Sequence, residues 1–242
     1  MQDTAILHQV LDLLQAEFGA ELLGVLATGS RIRGEGDRTS DIDLPVVINQ
    51  PRRQRRNIVV EGVEVEMFLN PPFQVRCYFA DDRACGRGAE QHMWTTGQIL
   101  YDPQGVMAEL QAEAREQWFA GPPPLSTTGR WLARYSAADG LRDIEDVLHT
   151  DPDRAMYLIG SIVPDVVNTL YRIHRRWLVK PKRVLLDLAT WDATAAELAV
   201  RACSGSASQR FAALQQLVIH TLTPLDGPMP LSWSIDWEEL QS

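Results

Sequence analysis

Two apolar runs, LLGVLA at residues 22–27 and IDLPVVI at 42–48, flank a polar loop that opens on Gly29-Ser30 and closes on Ser40-Asp41. Runs rich in β-branched and large aliphatic residues, bounded by glycine, serine and aspartate, specify strands. The N-terminal region is therefore committed to a sheet, and its second strand opens on two acids at alternate positions, Asp41 and Asp43. Residues i and i+2 of a strand point to the same face, so the two carboxylates converge on one cation or bridge two.

The neighbouring segments extend this sheet. Residues 5–18 place Ile6, Leu7, Val10, Leu11, Leu14 and Phe18 at helical spacing, with Asp3 or Thr4 available as a cap. Residues 57–69, NIVVEGVEVEMFL, read as a short strand, a turn at Glu61-Gly62 and a longer alternating strand. That strand puts Glu64 and Glu66 on one face, and its connection to 42–48 suits antiparallel pairing, which would set a glutamate beside the aspartates. Periodicity does not separate the two glutamates. Helices are expected near 72–84, 87–98 and 104–119, with a strand hinted at Ile99 to Tyr101.

The stretch GPPPLS at 121–126 cannot continue a helix, because three successive prolines lack backbone donors and impose extended geometry. A domain boundary is expected there, separating residues 1–120 from 126–242. Beyond it, Ser126 caps a helix toward His149, and Asp151-Pro152 opens another to about Trp177, which Pro164 should kink. Shorter helices follow at 181–190, 193–203 and 206–222.

Composition narrows the function. A chain of 242 residues buries a core without covalent help, and three cysteines with no CxxC pair support neither a disulfide framework nor a structural zinc site. A reducing cytoplasm fits this usage. The N-terminal segment reads as an amphipathic helix rather than a leader, and no apolar run reaches the roughly 20 residues of a membrane span. The formal charge of −9 disfavours an extended nucleic acid and is compatible with a small cationic acceptor.

Hard carboxylate oxygens suit magnesium, which keeps waters and substrate phosphates in its remaining positions, so a nucleoside triphosphate would complete the site. Gly29 lets backbone approach a phosphate closely, and Ser30 offers a hydroxyl and an amide to the same oxygens. Each piece alone reads as a solvated turn or strand end. Together, Gly-Ser after a strand, a ten-residue loop, paired acids and an acidic later strand outweigh that reading.

GVLATGSRIRGEGDRTSDIDLPVVI resembles the signature of the polymerase-β-type nucleotidyltransferase superfamily, closest in layout to bacterial aminoglycoside nucleotidyltransferases; the resemblance covers residues 1 to about 100. It implies an α+β N-terminal nucleotidyltransferase fold, with a small mixed sheet flanked by helices, and an all-α C-terminal accessory or acceptor-binding domain. Carried over residue by residue, it assigns the triphosphate to Gly29 and Ser30 and metal binding to Asp41 and Asp43. The third acid, metal ligand or general base, falls on Glu66 or Glu64. A proline five positions after the acid matches Glu66 and Pro71; a VEV segment like that of the antibiotic-modifying members favours Glu64. Two departures are Thr28 before Gly-Ser, where an aromatic or aliphatic residue is usual, and Pro45 within the second strand.

The implied reaction moves a nucleoside monophosphate, AMP from ATP or its equivalent from another triphosphate, onto a hydroxyl of a small-molecule acceptor. An aminoglycoside-like antibiotic is one such acceptor, and two magnesium ions roughly 3.5–4 Å apart serve such transfers. Catalytic roles fall on Asp41, Asp43, Glu66 and Glu64, metal ligation on Asp41, Asp43 and Glu66, and nucleotide binding on Gly29, Ser30 and Arg31. Arg31 and Arg33 could both reach phosphate oxygens, Arg31 being the better placed. The run Arg52 to Arg56 reads as a solvated loop, Lys180 and Lys182 as helix-end charges, and His92, His149, His174 and His220 as surface or helix-end groups. Trp118, Trp131 and Trp177 read as helix residues packed in a core. Two rival classes are a transferase acting on RNA or protein, and a non-catalytic nucleotide-binding or toxin-neutralising module.

Overall fold

The structure, a computed structural model, describes residues 2–36 and 40–234. Residues 37–39 of the loop after Gly29-Ser30, and 235–242 of the expected C-terminal domain, lie outside them. The chain divides into two compact units, Met1–Pro122 and Pro123–Ser242. No helix among the described residues is long and apolar enough to cross a membrane.

In the first unit, α1 (Gln2–Phe18) leads into β1 (Leu22–Ala27), followed by β2 (Ile42–Ile48), β3 (Gln54–Val60) and β4 (Val63–Asn70). Helices α2 (Pro72–Cys85) and α3 (Ala89–Thr96), strand β5 (Gln98–Tyr101) and helix α4 (Val106–Ala120) complete it. The strands form one mixed sheet in the order β3-β4-β2-β1-β5. Asp3 and Thr4 lie inside α1 rather than capping it, and Asp3 sits in its first turn.

The pairing of β2 with β4 corrects the expected one: it is parallel, not antiparallel. The strand between them is the reason. Residues from Gln54 onward lengthen the short strand expected at 57–60 into β3, which folds back on β4 through Glu61-Gly62 as an antiparallel hairpin. Both turn residues have positive φ, 51° and 78°, as a tight two-residue hairpin turn requires. β4 then inserts between β2 and β3, running with β2. The arginine run is likewise not one solvated loop, because Arg55 and Arg56 belong to β3.

Both faces of the sheet are covered. On one, Ile6, Val10 and Leu14 of α1 pack on Val25, Leu44, Val46, Val65 and Met67. On the other, Leu26 and Val47 meet Val75 and Phe79 of α2, Trp94 of α3, and Met107 and Leu110 of α4. Gly24 lets α4 approach β1 closely, since a Cβ there would lie 2.1 Å from Met107 Cγ. Gln111 Nε2 donates to the carbonyls of Trp94 (3.0 Å) and Gly97 (2.9 Å), tying α4 to the end of α3.

The second unit contains α5 (Thr127–Val147), α6 (Pro152–Ile173), α7 (Val184–Trp191), α8 (Ala193–Ala202) and α9 (Ala207–Leu222). Its caps follow the sequence signals. Ser126 Oγ accepts from the Gly129 amide at 3.0 Å, Asp151 from that of Arg154 at 3.1 Å, and Ser206 with Gln209 forms a capping box on α9. α6 is one helix with Pro164 in its interior and ends at Ile173, so Trp177 lies past it rather than in a helix. Trp118 and Trp131 are only half-buried, and Trp94 is the tryptophan among the largest fully buried side chains.

Trp94 is 1% exposed and meets Phe79 edge-to-face, with ring centroids 5.8 Å apart. Trp94→Ala should therefore destabilise the first unit by about 3–5 kcal/mol, read as a lowered denaturant midpoint. A change of less than about 1 kcal/mol would show that this face of the sheet repacks.

Candidate active site

The site is assembled by strand ends. Thr28, the residue after β1, bridges to Asp43 through paired backbone bonds, Thr28 N–H to Asp43 O at 2.9 Å and Asp43 N–H to Thr28 O at 3.2 Å. Gly29 and Ser30 therefore leave the sheet beside the aspartates. Gly29 has φ +106°, and a Cβ there would sit 3.1 Å from Asp43 Oδ2. Only glycine adopts this backbone without strain and leaves the carboxylate undisturbed. The following residues form a tight turn, with Glu35 N–H donating to Ser30 O at 2.9 Å and Ser30 Oγ to Ser40 Oγ at 3.2 Å.

The parallel ladder sets the third acid. Ile42 is paired with Val65 and Asp43 with Glu66, so the Asp43 and Glu66 side chains stand side by side on the same sheet face. Carboxylate oxygens of Asp41, Asp43 and Glu66 lie within 4.8 Å of one another, and all three residues are half-buried. Glu64 is not part of this group; it precedes the first β2-paired residue of β4 and accepts a hydrogen bond from Asn57 Nδ2. Spacing alone leaves the two glutamates equivalent; the register separates them.

Three half-buried carboxylates this close fit a divalent cation, and the glycine cradle beside Asp43 leaves room for a ligand oxygen. Asp41, Asp43 and Glu66 are the residues that would hold magnesium. Their charge is answered in part by Arg55 of β3, whose Nε donates to Glu66 and whose guanidinium lies 5.2 Å from the centre of the Phe68 ring. Glu66 and then Asp43 hold the Arg55 guanidinium more firmly protonated than usual. In the sequence Arg55 is one member of a charged run and nothing more. Its role depends on the β3–β4 hairpin, in which Arg55 opposes Phe68, two residues from Glu66.

Arg31, expected at the triphosphate, gives its Nε–H to Asp3 Oδ1 at 2.7 Å, tying the loop to α1. Arg33 pairs with Glu35 at 3.4 Å. In the second unit, His220 contacts Asp192 at 2.8 Å and His174 packs against Trp191, so both act as helix-end partners. His92 packs against Trp118 in the first unit, and His149 is exposed.

Glu90, near the start of α3, is a residue of this region that sequence reasoning missed. Burial, then Asp82 and Asp43, push its carboxyl up to about 7, against an opposing pull from Arg87. No local motif marks it, because α3 is carried to this face by the packing of Trp94. A carboxyl whose folded pKa is raised stabilises the fold fully below its unfolded value, near 4.5, and the contribution is lost as pH rises through about 7. Glu90→Gln should therefore stabilise the fold at pH 8 by on the order of 1–3 kcal/mol, read as a higher melting temperature, and change it little at pH 4.5. Equal effects at both pH values would refute the assignment.

Residues 7–81 match the family model described as a nucleotidyltransferase domain. No curated protein sequence matches the chain significantly. Among solved structures, a nucleotidyltransferase-like protein from Exiguobacterium sibiricum 255-15 is similar at a TM-score of 0.56. The similarity covers 90% of this chain and 75% of that one, at 13% identity, and shows a shared fold. The matched segment holds all three clustered acids and the Gly-Ser turn. Residues 7–81 are a nucleotidyltransferase domain of the polymerase-β-like type, and nucleotidyl transfer is the chemistry this domain supports.

Proposed function

We propose that the chain transfers a nucleoside monophosphate, AMP from ATP, onto a hydroxyl of a small-molecule acceptor and releases pyrophosphate. The observation that carries this reading is the triad of Asp41, Asp43 and Glu66 directly beside the Gly29 cradle. Backbone and hydroxyl donors of Gly29 and Ser30 would hold phosphate oxygens on one side of the acids. The acids would position magnesium, which when bound neutralises phosphate charge and favours ionisation of the attacking hydroxyl.

The acceptor oxygen forms a bond to the α-phosphorus as the bridging bond to the β-phosphate breaks. The electron pair of that bond leaves with pyrophosphate, and the hydroxyl proton is released to solvent. The acidic balance of the chain, −9, argues for a small acceptor over a polynucleotide. The resemblance of the Gly29 to Leu44 segment to aminoglycoside nucleotidyltransferases supports a sugar-like or cyclitol acceptor, and an accessory role for the helical second unit belongs to the same reading.

Asp41→Asn should lower pyrophosphate release about a thousandfold, equivalent to about 4 kcal/mol of transition-state stabilisation. It should also remove the rise in melting temperature on adding magnesium, with the far-ultraviolet circular dichroism unchanged. Retained turnover in this variant would exclude the triad from catalysis. In the wild type, label moving from ATP to RNA or protein would favour a macromolecular acceptor, and ATP binding without pyrophosphate from any acceptor a non-catalytic module.

A further inference from the structure

A cavity of about 450 Å³ opens in the first unit beside the acids, within the size range of small-ligand sites. Its lining includes Arg53, Arg55, Phe68, Tyr78, Glu90 and Trp94. Pro45 and Phe68, each two residues beyond a triad acid in its strand, also line it, so cavity and triad share one sheet face. The sheet order β3-β4-β2-β1 fixes its side: Gly29 and Ser30 leave from β1, whereas the cavity extends over β2, β4 and β3. A triphosphate held by Gly-Ser therefore leaves this cavity to the other substrate.

The polar groups of the lining are unlike those a cationic acceptor needs. Arg53 donates to the Tyr78 hydroxyl and lies 6.0 Å from the centre of that ring; Arg55 lies over Phe68 and reaches Glu66. These ring contacts restrain both guanidiniums, and each keeps several N–H donors beyond those bonds. Glu90 is the one acidic side chain of the lining, set against the two arginines. Phe68 and Met93, both half-buried, supply an apolar wall.

Resting on the nucleotidyl-transfer reading, we infer that this cavity is the acceptor site and selects a hydroxyl compound bearing an anionic group, a phosphate or a carboxylate, which Arg53 and Arg55 bind. The body of the acceptor lies against Phe68 and Tyr78, and its hydroxyl is turned toward the triad. A strongly cationic aminocyclitol is the wrong charge for this lining.

Isothermal titration calorimetry of the full chain tests this with glucose 6-phosphate, gluconate, glucose and 2-deoxystreptamine, each with and without magnesium and a non-hydrolysable ATP analogue. At least one anionic probe should bind more tightly than glucose and 2-deoxystreptamine, and the stronger of the two identifies phosphate or carboxylate as the preferred group. Arg53→Gln should weaken that binding at least about tenfold, and Arg53→Lys less, because lysine keeps the charge but not the planar fork. Binding should persist with the ATP analogue present. The inference fails if 2-deoxystreptamine binds best, if neither anion binds, if Arg53→Gln leaves anion binding unchanged, or if the ATP analogue displaces the anion. The two readings fail separately. Anion binding of the expected kind with no pyrophosphate from ATP would sink nucleotidyl transfer and leave an anion site, whereas transfer to 2-deoxystreptamine alone would sink the acceptor class and leave nucleotidyl transfer.

Discussion

Backbone pairing of Asp43 with Glu66 across β2 and β4 holds together acids that repel one another. With oxygens within 4.8 Å and an effective dielectric near 20, each pair of full charges costs on the order of 3 kcal/mol. The strands are held in this register by apolar side chains on both faces, Leu44, Val46, Val65 and Met67 toward α1 and Val47 toward α2 and α3. A slip of one residue would turn that whole set to the wrong face, so the core enforces the register that the carboxylates oppose.

The same register explains the position of Arg55. Once β4 runs parallel to β2, its other edge is free to take β3 antiparallel, and the hairpin brings a guanidinium to Glu66 without a long connection. Arg56, the next residue, faces the opposite side and grips Glu17 of α1 through two bonds of 2.6 and 2.7 Å. Alternation along one strand thus supplies a counter-charge to the site and a tie to the covering helix. Arg56 holds the Glu17 carboxyl below its usual range, which favours this tie once Glu17 is ionised.

How much of this was legible in the sequence depended on the range of the interaction. β1 and β2 have the limits their apolar runs suggested, and Ser126 and Asp151 cap helices where the chain offers them, because those signals act within a few residues. Asp41, Asp43 and Glu66 were candidates for the same reason. The direction of β4 relative to β2 was not legible, because it depends on how many residues of the arginine run join β3. Gln54, Arg55 and Arg56 have no strong strand preference of their own and become strand by pairing with Leu69, Phe68 and Met67. Strand periodicity left Glu64 and Glu66 equivalent, and the metal role assigned to Glu66 rested on the resemblance; the Asp43–Glu66 register gives that choice a physical basis. Glu90 was invisible because neither its neighbours in sequence nor its type distinguishes it from a solvated helix residue.

Charge acts differently at a distance and in contact. The chain carries −9, and the triad adds three carboxylates to one small region, so a cationic acceptor follows naturally from composition. Net charge, however, acts through long-range steering, which salt screens over about 8–10 Å. Within the cavity, recognition is set by groups in contact with the ligand, and there Arg53 and Arg55 outnumber the single carboxyl of Glu90. An anionic acceptor beside an acidic triad is physically reasonable for the same reason a triphosphate is. The carboxylates would be engaged with the cation, and the guanidiniums of Arg53 and Arg55 are already held by Tyr78 and Phe68 in position to bind the incoming anion.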